Sequence, residues 1–266
     1  MSGLLTIAVE TARKAGELLR RRFYSPHPLS GGKKAGGELV TACDREAEDL
    51  IYESLNRAFP EHGFFGEESG LAGDPESCWV IDPLDGTTNF IHGYPQCSVS
   101  IAFYENGRIK VGVVHDIVAN ETFFAEDGGG AFVDSRRLRV SKAASMGDSL
   151  IIASGQLAKM WTLLGTMANH SRGVRRGGST ALDLAWLAAG RADAVIGGPA
   201  RFWDVAAGYI LVREAGGLIA DIEGQNQFRL GENTTPYVAA TPKILVQTLE
   251  GLKRYYADDN GVYQHK

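Results

Sequence analysis

The chain has 266 residues, 44% of them apolar and 22% charged, a balance that excludes a collagen, a coiled coil and a disordered tail. A chain of this length buries roughly 70–75% of its unfolded surface as one large or two small domains, and needs no disulfide staples. Lys plus Arg is 27 against 32 for Asp plus Glu, a net charge of −5, which excludes a strongly basic nucleic-acid binder though not a local basic patch.

Residues 4–23 set Leu4, Ala8, Ala12, Ala15 and Leu18 on one stripe of helical period. Glu10, Arg13, Lys14 and Glu17 interrupt it, so the segment reads as a helix and not a signal peptide. No apolar run of about 18 residues predicts a membrane span. Pro26, Pro28 and the Gly/Lys-rich stretch 30–37 have loop composition. Ala47, Leu50, Ile51, Leu55 and Ala58 predict a second helix, stopped by Pro60. Residues 78–81 predict a buried strand ending at Asp82-Pro83, because proline cannot donate to a ladder. Strands are predicted at 98–104 and 109–115, joined by an Asn106-Gly107 turn, and at 122–125 before the Gly128–Gly130 turn. Further on come a strand at 149–154, a helix at 157–169, a helix at 182–189, a strand at 192–196 and a helix at 205–215 closed by Gly216-Gly217. Thr241-Pro242 opens a last helix. The order is layered α/β with mixed sheets, and the small, polar stretch 141–148 separates an N-terminal lobe (1–145) from a C-terminal lobe (146–266). Cys43, Cys78 and Cys97 are odd in number and widely spaced, which favours free thiols in a cytoplasmic protein.

The chemistry concentrates in Asp82-Pro83-Leu84-Asp85-Gly86-Thr87-Thr88-Asn89. Buried unpaired carboxylates either protonate or bind cations. An oxygen-rich turn suits Mg2+, and the amides of Gly86 and Thr87 can face an anion if a helix starts there. The same residues also make good turn chemistry. Glu67-Glu68 alone reads as a solvated loop, Asp204 as a helix N-cap and Asp44 as first-turn helix charge.

Gly-Glu-Glu-Ser at 66–69, Trp-Val-Ile-Asp-Pro-Leu-Asp-Gly-Thr-Thr-Asn-Phe at 79–90 and Trp-Asp-Val-Ala-Ala-Gly at 203–208 resemble, in order and spacing, the inositol monophosphatase family. Leu-Val-Thr-Ala-Cys-Asp at 39–44 and the segment 178–193 extend the resemblance over about residues 8–240, most of all to its SuhB-like bacterial members. The resemblance implies an αβαβα sandwich and Mg2+-dependent, Li+-sensitive phosphomonoester hydrolysis of a small, inositol-1-phosphate-like metabolite. By matching position, Glu67, Asp82 and the Leu84 carbonyl would hold one ion, and Asp82, Asp85 and Asp204 a second. A third ion would sit near Glu67. Asp44 and Thr87 would orient the attacking water, and Gly86 and Thr87 would receive the phosphate. Lys33 falls where the family has a basic residue, and Gly178, Ser179, Thr180, Arg201, Asp85 and Asp204 would line the substrate pocket. Relatives are commonly dimers, so a homodimer is expected.

Gly197 stands where inositol-selective members have a glutamate, with Arg201 close by. Histidinol phosphate, fructose 1,6-bisphosphate and 3′-phosphonucleotides therefore remain alternatives. An RNA- or protein-binding regulator of SuhB type is the alternative from another class, although net acidity weakens nucleic-acid binding. Asp82 and Asp85 are one residue too far apart for an aspartyl-nucleophile motif, and Ser179 caps a helix rather than acting as a nucleophile. The pairs Arg136-Arg137 and Arg175-Arg176 read as solvated surface or phosphate contacts, and the six histidines show no zinc spacing.

Overall fold

The computed structural model describes residues 1–25, 32–33, 39–40, 42–155, 161–221, 223–225 and 230–258. Thr41, His27, His265 and the Lys33 and Trp161 side chains lie outside that set. Ser2 accepts the Leu5 amide at 3.2 Å and opens helix α1 (Gly3–Phe23). The short strands β1 (Gly32–Lys33) and β2 (Leu39–Val40) pair before helix α2 (Ala42–Ala58). Both helices bury an apolar stripe. In α1 the buried large residues are Leu5, Val9 and Leu19, with Leu4 and Leu18 at its margin.

The first sheet contains β3 (Gly63–Gly66), β4 (Gly70–Ala72), β5 (Ser77–Asp85), β6 (Ser98–Glu105), β7 (Arg108–Asp116), β8 (Glu121–Glu126), β9 (Gly130–Val133) and β10 (Arg136–Arg137). Its spatial order is β10-β9-β8-β7-β6-β5-β3-β4, antiparallel except for the β3–β5 pair. Asn106 and Gly107 take φ of 48° and 79°, the left-handed turn that matches hairpin twist, so β6 and β7 join as expected. A short helix α3 (Thr87–Ile91) follows β5.

The second sheet has strands β11 (Leu150–Ser154), β12 (Gly173–Arg175), β13 (Ala194–Gly197), β14 (Leu218–Asp221) and β15 (Tyr237–Ala240), ordered β12-β11-β13-β15-β14. Helices α4 (Trp161–Asn169), α5 (Thr180–Ala188), α6 (Phe202–Glu214) and α7 (Pro242–Asp258) alternate with them. The layers are α1/α2, the first sheet, α5/α6, the second sheet, and α4/α7, an αβαβα sandwich as expected. The middle core draws Val80, Val114 and Phe123 from the first sheet and Ile152, Val195 and Ala239 from the second onto α5 and α6. No described helix is long and apolar enough to cross a membrane.

Strand β5 departs from the sequence reading in where it ends. β5 does not end at Asp82-Pro83 but runs on to Asp85. Asp82 pairs with Ser100 and Asp85 with Ser98, so Pro83 and Leu84 together oppose Val99. This bulge accommodates a residue with no amide hydrogen.

Candidate active site

The β5 bulge is what lets two acids three residues apart serve one place, since in a regular strand they would face opposite sides. Asp82 is buried, and its Oδ1 accepts the Leu84 amide at 3.0 Å. Asp85 caps the next layer. Its Oδ2 accepts the Ser179 hydroxyl and the Ala181 amide, both at 2.7 Å. Ser179 is itself the N-cap of α5, accepting the Leu182 amide at 3.3 Å, as the sequence predicts.

Gly86 takes φ of +88°, and a Cβ there would meet the Gln96 carbonyl at 2.9 Å, so only glycine turns the chain from β5 into α3. Its amide donates to the Asp85 carboxylate. The Thr87 hydroxyl lies 3.0 Å from the Leu84 carbonyl and 3.2 Å from Asp44 Oδ1, and its one hydrogen can donate to either. Asp44 is in the first turn of α2 and fully buried. Glu67 leaves β3 beside β5, its amide donating to the Ile81 carbonyl at 3.1 Å.

Asp204 is the third residue of α6, not its N-cap. That position is Arg201, whose amide donates back to Asp204 Oδ2 at 3.1 Å. The Arg201 side chain is exposed, donates to Asn233 Oδ1 at 3.3 Å and lies over the Trp203 ring. Gly178 takes φ +90°, and a Cβ there would lie 2.9 Å from Asn89 Nδ2; Thr180 accepts the Ser154 hydroxyl at 3.2 Å. Sequence reasoning assigned Asn89 no role, although it sits in the quoted motif. Its Nδ2 donates to the Gln96 carbonyl at 2.7 Å and the Gly177 carbonyl at 2.9 Å, tying α3 to the loop before α5.

Electrostatics joins the acids. Burial first, then the negative charges of Glu67, Asp85 and Asp204 and a hydrogen bond with Glu67, push Asp82 well above the usual carboxylate range. Asp204 is pushed up by burial and then by Asp85. Asp85 rises to about 7, chiefly through burial, against the lowering effect of its bonds from Ser179, Ala181 and Gly86. Acids supplied by β3, β5 and α6 thus disfavour one another's charge. Among the described residues, no three His, Cys, Asp or Glu side chains are already grouped at ligating distance of one point. The donor set nonetheless fits a hard dication, which needs oxygen ligands and relieves the repulsion.

Other charged features stay apart. Arg175 and Arg176 are exposed and donate to the Val174 and Gly155 carbonyls respectively, and Arg136 and Arg137 lie on the edge strand β10. A cleft of about 690 Å3 on the outer face of α1, lined by Arg13, Lys14, Arg21, Arg22 and Glu46, contains none of the site acids. His62 stacks on Phe59, and His115 is buried, both structural as expected. The three cysteines are buried and form no disulfide.

Acids that act on one another from β5, α6 and the turn after β3 of an αβαβα sandwich place the chain in a known class. The model of the inositol monophosphatase family matches residues 1–258, and the chain belongs to that family. It is 40% identical over 267 residues to the Nus factor SuhB of Escherichia coli K12, covering 97% of this chain and 98% of that protein. It is 42% identical over 231 residues to an inositol-1-monophosphatase of Mesorhizobium japonicum, covering 84% and 87%. Among solved structures, the extragenic suppressor protein SuhB of Bartonella henselae matches with a TM-score of 0.88 at 37% identity, over 95% of this chain and 99% of that one. An IMPase of Thermotoga maritima matches at 0.89 and 32%, over 97% and 99%.

Proposed function

We propose that this chain is a Mg2+-dependent phosphomonoesterase acting on a small phosphorylated metabolite. The observation that carries the reading is the mutual repulsion of Asp82, Asp85 and Asp204 with Glu67, acids that a dication would stabilise. Glu67, Asp82 and the Leu84 carbonyl would hold one ion, and Asp82, Asp85 and Asp204 another, with a third near Glu67. Mg2+ held there would supply an activated water and would neutralise charge on the leaving oxygen. Asp44, through the Thr87 hydroxyl at 3.2 Å, is suited to hold that water and take its proton. The Thr87 amide at the start of α3 is suited to hold a phosphate oxygen. The lobes 1–145 and 146–266 would act as one unit, since Asp204 and the cap on Asp85 come from the second. A homodimer completes the reading, and light scattering at 28.6 kDa would remove that part.

On substrate, a Cβ at Gly197 would lie 2.2 Å from the Tyr237 ring, so no side chain fits there. An acidic acceptor for a polyol is thereby lost, worth on the order of 1.5–3 kcal/mol per charge-assisted bond. Arg201, at the start of α6, favours a second anionic group instead.

The test is Mg2+-dependent phosphate release from inositol 1-phosphate, histidinol phosphate, fructose 1,6-bisphosphate and a 3′-phosphonucleotide. Asp82→Asn is expected to reduce release at least ~100-fold, the upper end of what even outer-sphere partners of a metal contribute. Equal release by both proteins would remove the enzyme reading. Similarity to proteins named Nus factors supports a second reading, a regulatory protein- or RNA-binding role. That role would survive Asp82→Asn.

A further inference from the structure

Glu48 is a buried acid outside the site as described so far. Glu48 is four residues after Asp44, one turn along the same face of α2, and only 6% exposed. Its Oε2 accepts the Glu68 amide at 3.0 Å and its Oε1 the Ser69 amide at 2.9 Å. These are the two residues directly after Glu67, whose own amide is held by the Ile81 carbonyl at 3.1 Å. The backbone on both sides of the Glu67 side chain is therefore anchored, to β5 before it and to α2 after it. Gly66 belongs to the same device, because a Cβ there would lie 2.8 Å from Glu48 Oε1.

We propose that Glu48 is a positioning residue. Its carboxylate grips the turn after β3, fixes where Glu67 presents its oxygens, and ties that ligand through α2 to Asp44. The proposal rests on the metal-dependent reading above. A carboxylate suits the task because it accepts at both oxygens, whereas glutamine keeps one acceptor and turns an NH2 toward the other amide. Releasing one amide lets the turn, and Glu67 with it, drift from ligating geometry. Groups that orient a ligand are worth about 10–100-fold in metal affinity.

The experiment uses the full chain and Mn2+ as the probe, titrated by electron paramagnetic resonance, beside thermal melts of the metal-free protein. Glu48→Gln is expected to bind Mn2+ about 10–100-fold more weakly than wild type. Gly66→Ala, which crowds the same carboxylate without removing it, is expected to shift affinity in the same direction. For Glu48→Gln the Mg2+ concentration needed for half-maximal turnover rises in step, while kcat at saturating Mg2+ stays within about threefold, a split expected of a group acting only through the metal. Wild-type Mn2+ affinity in both variants overturns the role of Glu48 and leaves the metal reading standing. A kcat that stays low at saturating Mg2+ likewise overturns positioning in favour of general loosening. Absence of Mn2+ binding by the wild-type chain itself overturns both.

Discussion

At the scale of single residues, two buried titratable groups carry opposite signs of pH dependence. His115 is 1% exposed, with Nδ1 3.1 Å from the Thr122 hydroxyl, and burial followed by the nearby Arg13 charge lowers it from 6.5 to about 4. The unfolded chain binds that proton more readily, so the neutral histidine's contribution is complete above pH 6.5 and is lost as the pH falls toward 4. The gap of about 2.5 units corresponds to roughly 3 kcal/mol. Urea unfolding from pH 7 to 4 is expected to show wild type losing about that much more stability than His115→Gln. Parallel losses would exclude His115 as the source. Asp82 behaves in the reverse sense, since its folded pKa is raised and its charge costs stability at neutral pH. Asp82→Asn keeps the acceptor for the Leu84 amide while removing that charge. It is expected to raise the Tm of the metal-free protein by a few degrees, about 1 kcal/mol, even as it lowers the proposed phosphate release. A lowered metal-free Tm would contradict the crowding of acids.

At the scale of elements, the site depends on how closely helices approach sheets. A Cβ on Gly112 of β7 would lie 2.4 Å from Ile210 Cγ2 and 2.7 Å from the Ala207 carbonyl of α6. Backbone cannot yield as a flexible side chain does, so Gly112→Ala is expected to cost about 1–3 kcal/mol in chemical denaturation. Because α6 carries Asp204, the same change should also raise the Mg2+ concentration needed for half-maximal turnover if the proposed metal-dependent activity holds. Gly208 sets the spacing of α5 against α6 in the same way, since a Cβ there would lie 2.5 Å from Leu184 Cβ, and Gly16 sets that of α1, where a Cβ would lie 2.1 Å from the His115 ring. The bulge in β5 could not be read in advance. Proline normally ends a strand, and only the register against β6 shows that two residues oppose Val99. Leu218–Asp221 and Tyr237–Ala240 were missed for another reason, since four residues are too few to establish a period.

At the scale of the whole molecule, the middle layer makes one site out of distant sequence. Asp85, from β5, caps α5 at the far side of the chain through Ser179 and Ala181. With Asp85 raised to about 7, the metal-free site holds protons that a dication must displace. Calorimetry of Mg2+ binding at pH 6.5 in buffers of different ionisation enthalpy is expected to show net proton release, diminishing above pH 8. Binding without proton release at pH 6.5 would show that the acids are already charged.

The sequence by itself determined the family, the layered fold and the identity of the acids, because Asp-Pro-Leu-Asp-Gly-Thr and Trp-Asp-Val-Ala are local strings whose chemistry is legible in order and spacing. It also revealed the β6–β7 hairpin, since Asn106-Gly107 needs only its own left-handed backbone to turn the chain. Only the tertiary structure decided that Asp85 is an α5 cap, that Glu48 grips the turn after Glu67, and that Tyr237 fills the space beside Gly197. Each of these depends on burial and contact between segments 20 to 96 residues apart. The free energy of such a contact is set by what lies opposite, which no local pattern encodes.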